Sequence, residues 1–178
     1  MSQEIAYVII TPYSLHKSRT GGILARLITR TGLDLVGARM FAPSAELVKA
    51  YSEAVVSAND PQDRNIQELI RDYILQNLAP DPKTGRRRRV MMLLFKGEDA
   101  VRKVRGVVGN ISAHRRGGET IRDTYGDLIL DEKDNVRYFE PAVLAAPNAE
   151  EARLKLKLWA DYSDKDGGIV ENTNVYNP

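Results

Sequence analysis

The chain has 178 residues, 43% hydrophobic and 28% charged, a balance that suits one soluble globular domain with a full core. A formal net charge of +2 argues against a general nucleic-acid or polyanion binder, although basic residues cluster locally. With no cysteine there is neither a disulfide framework nor a thiolate metal site, and no apolar run approaches the roughly 18 residues of a membrane span. The N-terminus opens on Ser2, Gln3 and Glu4 rather than on a cationic and apolar leader, so a cytoplasmic protein is the expectation.

Ile5 to Ile10 is a near-continuous β-branched run and predicts a strand buried on both faces, ended by Thr11-Pro12. Thr20 is placed to cap a helix from Gly21 to Thr31, with Ile23, Leu24, Leu27 and Ile28 on one face and Gly32 as the residue that stops it. Leu33 to Phe41 reads as a second strand. Ser44 caps a helix that buries Leu47, Val48, Tyr51 and Val55, and Asn59-Asp60-Pro61 breaks it. Ile66, Leu69, Ile70, Tyr73, Ile74 and Leu78 show the clearest helical period in the chain. A turn-rich basic loop, 79–89, carries Arg86 to Arg89. Val90 to Phe95 is a third strand, and Gly97 to Val108 a helix with Arg102, Lys103 and Arg105 on or beside its exposed side. The stretch 110–125 is irregular and basic, and Gly126 to Leu130 is the predicted fourth strand. Asn148 caps a last helix whose Ala149, Ala152, Leu156 and Trp159 share a face. A polar tail follows the 1–162 domain at 163–178. Without the middle helices the order is β-α-β-β-α-β, an α+β, ferredoxin-like antiparallel sheet with its helices on one face and helices added.

At this point the residues resemble the nucleoside diphosphate kinase family. The resemblance covers about residues 5 to 160, through the runs VIITP, TGGILARLITRTGLDLVGARMFAPSAELVKAYSE, FKGEDAVRKVRGVVGN, ETIRDTYGD, DNV and AEEARLKLKLW, in that order. Family members pass a phosphoryl group from a nucleoside triphosphate to a diphosphate through a phosphohistidine, with Mg²⁺, lysine and arginines holding the phosphates. The resemblance therefore implies an α+β ferredoxin-like fold, a nucleotide with Mg²⁺, and a homo-oligomer. It places phosphate-binding roles on Arg105 in KVRGVVG, Arg122 in TIRD, Asn135 in DNV and Tyr51 in KAYSE. Three family positions depart from the pattern. The lysine before the first proline is Thr11, and the threonine six residues after the first arginine is Ile111. The histidine is Tyr138 when counted from Asn135, or Leu144 when counted back from Trp159.

The chain holds two histidines, His16 and His114. A tyrosine hydroxyl, with an ordinary pKa of about 10, is a poor nucleophile near neutral pH. Three functions are compatible with these residues. One is a nucleoside-diphosphate-kinase-like protein that binds nucleotide or phosphate without efficient transfer and acts as a regulatory or scaffolding oligomer. Another is an active kinase using an unconventional residue, with His114 as the remote candidate. The third is a structural interaction subunit, with a protein partner met by the Arg86–Arg89 loop or the tail. None of the three involves a membrane or a specific nucleic acid.

Overall fold

The computed structural model describes residues 3–114 and 117–166. In chain order it contains β1 (Gln3–Ile10), α1 (Pro12–His16), α2 (Thr20–Thr31), β2 (Asp34–Phe41), α3 (Ala45–Ala54), α4 (Arg64–Asn77) and β3 (Val90–Glu98). There follow α5 (Ala100–Val108), α6 (Ile121–Tyr125), β4 (Asp127–Leu130), β5 (Val136–Glu140), β6 (Val143–Ala145), α7 (Ala149–Asp161) and α8 (Ser163–Asp166). The predicted tail from residue 167 onward lies outside the described residues, as do Arg115 and Arg116.

Four strands form one antiparallel sheet in the order β2-β3-β1-β6, and β4 pairs with β5 in a separate hairpin. The apolar run of β1 is buried from Ala6 to Ile10, as its lack of alternation requires. Its two faces meet different helices. Glu4, on one face, accepts a hydrogen bond from the Val101 amide at the start of α5 (3.3 Å). Tyr7, on the other, has its hydroxyl 3.3 Å from that of Tyr51 on α3. Helix α2 packs on α5, while α3 packs on α4 and α7, so the added helices cover the face that the βαβ pair leaves open.

Most helix boundaries follow local chemistry. Ser44 accepts from the Leu47 amide, Asp63 from that of Asn65 and Asn148 from that of Glu151, each occupying an otherwise unpaired N-terminal donor. Gly32 ends α2 in the left-handed region, at φ +63°. Two expectations for α2 change. Thr20 is its first residue, not its side-chain cap, and Ile28 is 43% exposed while Thr31 turns inward. One expectation for the sheet changes as well. The stretch 126–130 does not supply the fourth strand; β6 does. Ala142, Val143 and Leu144 are fully apolar and buried, which suits a place beside β1, whereas Ile129 on β4 is 47% exposed and suits a surface hairpin.

Candidate functional site

The end of β1, the α5–α6 connection and the approach to β6 converge on Arg122. This residue sits on the short helix α6, whose Thr120 accepts the Asp123 amide as cap. Its guanidinium is buried, 7% exposed, and its donors reach three segments: Gly109 O (3.0 Å), Val143 O (3.1 Å) and Pro141 O (3.4 Å). Burial and then the nearby Arg105 push its pKa down to about 9, with Tyr51 opposing. Arg105 on α5 is half-buried. Burial lowers its pKa too, against the pull of Asp60. Two cations are thus held close together, and the one more deeply placed is bound by neutral carbonyls.

Tyr51 belongs to this cluster, but not as an open phosphate contact. It is 1% exposed, its ring stands edge-on to Trp159 at 5.3 Å between centroids, and burial raises its hydroxyl to about 12. The helical period that buries Tyr51 was legible; the partners it finds, Tyr7 and Trp159, come from β1 and α7. The two cavities that Arg122 lines hold about 30 and 20 Å³, enough for a water molecule and too little for a phosphate chain. Arg105 instead opens onto a cleft of about 620 Å³, with Gly109, Ile111, Glu119, Thr120 and Asp123 in its wall.

The structure does not bring Asn135 or Tyr138 to the arginines' cavities. Asn135 lies in the β4–β5 turn, exposed, with its amide and side chain bound to the Asp131 carboxylate. Tyr138, on β5, is 40% exposed, and burial with a hydrogen bond to Tyr13 raises its hydroxyl to about 12. DNV forms the turn of the β4–β5 hairpin, so three residues on from Asn135 the chain is still in that hairpin and not in the four-stranded sheet. Counting back from Trp159 leads onto it: Leu144 lies in β6, paired with Ile9. Both histidines are exposed. His16 ends α1, and His114 lies in the 110–120 loop with its amide on the Ser112 hydroxyl.

The residue at the family's lysine position has a different role. Thr11 is fully buried and donates to Glu140 Oε1 at 2.8 Å. Tyr73 of α4 donates to the other carboxylate oxygen at 2.7 Å, and the Ala142 amide donates at 2.9 Å. Burial raises the Glu140 pKa, the three hydrogen bonds opposing it. A buried carboxyl therefore anchors the end of β1 where the resemblance implies a phosphate-facing cation. Nothing in the sequence around Phe139-Glu140-Pro141 marks it. A second buried pair also escaped the sequence: Lys155 and Glu151, 2% and 3% exposed, are joined at 2.6 Å on α7. Their i,i+4 spacing was readable; their burial was not.

Among the described residues no three of His, Asp and Glu come together closely enough to hold a metal ion. The described residues therefore offer no carboxylate cluster of the kind that holds a resident Mg²⁺. The basic loop lines a cleft of about 510 Å³ with His16, where Arg87 donates to Ala42 O (3.1 Å) and Arg88 to Gln76 O. No helix among the described residues is long and apolar enough to cross a membrane.

Comparison with known proteins places this geometry. The fold is that of the nucleoside diphosphate kinases. The chain superposes on the Borrelia burgdorferi enzyme, solved as a transition-state mimic with vanadate and ADP, with a TM-score of 0.67 at 18% identity, covering 88% of this chain and 86% of that one. It superposes on the Pyrobaculum aerophilum enzyme with a TM-score of 0.63 at 20% identity over 89% and 96%. In sequence it is 26% identical to the Pyrobaculum aerophilum nucleoside diphosphate kinase over 188 aligned residues, 89% of this chain and 96% of the relative. It is 25% identical to that of Saccharolobus islandicus over 165, covering 92% and 99%. No family model matches the chain. It is similar to nucleoside diphosphate kinases in sequence and fold along nearly its whole length.

Proposed function

We propose that this protein works by binding rather than by histidine-mediated phosphoryl transfer, as a regulatory or scaffolding member of a homo-oligomer. The observation that carries this reading is the Thr11–Glu140–Tyr73 cluster. The end of β1 is closed by a buried carboxyl and two hydroxyls where the resemblance implies a lysine, and the strand beside β1 carries Leu144 where it implies an imidazole. Electrostatic stabilisation of a transferring phosphoryl group needs cations at that place, and a carboxylate there acts against it.

Anion binding is retained at a different point of the same region. Arg105 faces the open cleft, while Arg122 uses its donors to hold the Gly109, Pro141 and Val143 carbonyls together. The ligand class is a nucleoside di- or triphosphate, bound through its phosphates with any Mg²⁺ carried on them.

The test is incubation of the full chain with γ-labelled ATP and Mg²⁺, beside a melting curve with and without ATP. The proposal expects no acid-labile label and an ATP-dependent rise in melting temperature that Arg105→Ala removes, because a ligand that binds only the folded state stabilises it by mass action. Acid-labile label that chases onto added diphosphate and disappears in His114→Ala overturns it in favour of a relocated nucleophile. No shift and no label leaves a structural subunit.

A further inference from the structure

The basic loop and helix α1 enclose a cleft of about 510 Å³ that shares no lining residue with the cleft at Arg105. One side of it is cationic, with Arg86 to Arg89 in succession. The other side is α1, with Pro12 and Leu15 half-buried and His16 exposed. The loop is closed on itself. The Asp81 carboxylate accepts from the Lys83 amide (2.9 Å), the Thr84 amide (2.8 Å) and the Thr84 hydroxyl (3.0 Å), and the Asp81 amide donates to Arg86 O at 2.8 Å. Gly85 makes the turn in the left-handed region, at φ +69°.

The arginines of this loop have two kinds of placement. Along an extended backbone alternate side chains leave on opposite sides, yet all of Arg86 to Arg89 line the one cleft. Arg87 and Arg88 are half-buried and tied back to the body, Arg87 donating to Ala42 O just after β2 (3.1 Å) and Arg88 to Gln76 O in the last turn of α4. Arg86 and Arg89 are exposed, and stand at most about 10 Å apart along the backbone. Side chains on one side of an extended peptide repeat about every 7 Å, a spacing that suits two separated guanidiniums better than the contiguous charges of a small polyanion do. Such a peptide sends its intervening side chains the other way, toward Pro12 and Leu15. The guanidinium fork matches a carboxylate with two parallel hydrogen bonds.

We propose that this cleft is the docking site of an extended acidic segment of a partner protein, one in which carboxylates alternate with apolar side chains. The carboxylates meet Arg86 and Arg89, and the apolar side chains meet Pro12 and Leu15. Because the loop is already closed by Asp81, the ordering cost of docking falls mainly on the incoming segment. The site stands whether or not Arg105 holds a nucleotide.

The test titrates the full chain with a capped peptide of alternating glutamate and leucine, beside a peptide of the same composition with the two residue types in separate blocks. The alternating peptide should bind about tenfold more tightly, because only it can present its leucines to the α1 side while its glutamates face the loop. Arg86→Ser/Arg89→Ser should weaken its binding about tenfold with an unchanged circular dichroism spectrum, and added salt should weaken it in the native protein. The chain's two histidines read the site without any substitution: the peptide should shift the ring resonances of His16 and leave those of His114 in place. Saturating ATP should not displace it. Equal affinity for the two peptides, unchanged affinity in the folded variant, or a shift at His114 without one at His16 overturns the proposal; should the variant not fold, the histidine reading decides. A single-stranded oligonucleotide that displaces the peptide and binds more tightly also overturns it, and assigns the cleft to nucleic acid.

Discussion

Lys155→Met is the most searching single perturbation of this fold. Lys155 Nζ lies 2.6 Å from Glu151 Oε2, and the Ser57 hydroxyl donates to the other oxygen at 2.7 Å. Burial pulls the Glu151 carboxyl upward, but the Lys155 and Ser57 hydrogen bonds outweigh it and hold its pKa below the usual carboxylate value. Methionine keeps the length of the lysine stem and removes the charge, leaving a carboxylate at 3% exposure with one hydroxyl partner. Breaking a buried pair in this way costs about 3–5 kcal/mol. The N-terminal end of α7, where Glu151 sits in the first turn, offsets up to about 1 kcal/mol of that. A net loss of about 3 kcal/mol corresponds to a fall of about 6–12 °C in melting temperature for a chain of this size. The loss should shrink as the pH falls. The stability contributed by a carboxylate with a lowered pKa is present above its unfolded value and disappears as pH drops through the folded one. Urea unfolding of the native chain, Lys155→Met, Glu151→Gln and the double variant gives the coupling directly. The double variant, which retains an amide oxygen for Ser57, should recover to within about 1 kcal/mol of the native chain. A single-variant loss below about 1 kcal/mol, or a double variant as weak as Lys155→Met, would refute the reasoning.

Glu140 should show the opposite pH dependence. Its pKa is raised above 4.5 in the folded chain, so its stabilising contribution is complete below about pH 4.5 and is lost as pH rises through the raised value. Glu140→Gln should therefore flatten the fall in melting temperature between acid and neutral pH; an unchanged profile would remove Glu140 as its source. Gly109 stands at φ +83°, and a Cβ there would collide with the Thr120 side chain. Gly109→Ala should cost about 2 kcal/mol or more in urea unfolding, with Thr120→Ser failing to restore it because the clashing Oγ and Cβ remain along with the backbone strain. Arg122→Met removes donors from three carbonyls and should cost about 3 kcal/mol with no ligand present, which a purely ligand-facing arginine would not.

Local chemistry made much of the architecture readable. The unalternating run of β1, the caps at Ser44 and Asn148, and Gly32 after α2 all act within a few residues of themselves. Arg105, Arg122 and Tyr51, which the family resemblance singles out, lie near one another in the fold. Asn135 and Tyr138 lie apart from them, because DNV forms the turn of the β4–β5 hairpin and Tyr138 its second strand, whereas the count from Trp159 leads to Leu144 in β6. Glu140 was invisible because its partners, Thr11 and Tyr73, lie 129 and 67 residues away along the chain.

What the amino-acid sequence determined by itself is the order of β1, α2, β2, α3, α4, β3, α5 and α7, most of the apolar faces that pack them and the absence of a histidine after His114, since these depend on residue type and short-range spacing. Which strand lies beside β1, whether Arg122 faces a ligand or three carbonyls, and whether a carboxyl or a cation occupies the end of β1 were decided only by tertiary structure. Each depends on burial and on partners from distant segments, and the desolvation that turns a charged side chain into a structural tie or a binding group exists only once those segments have met.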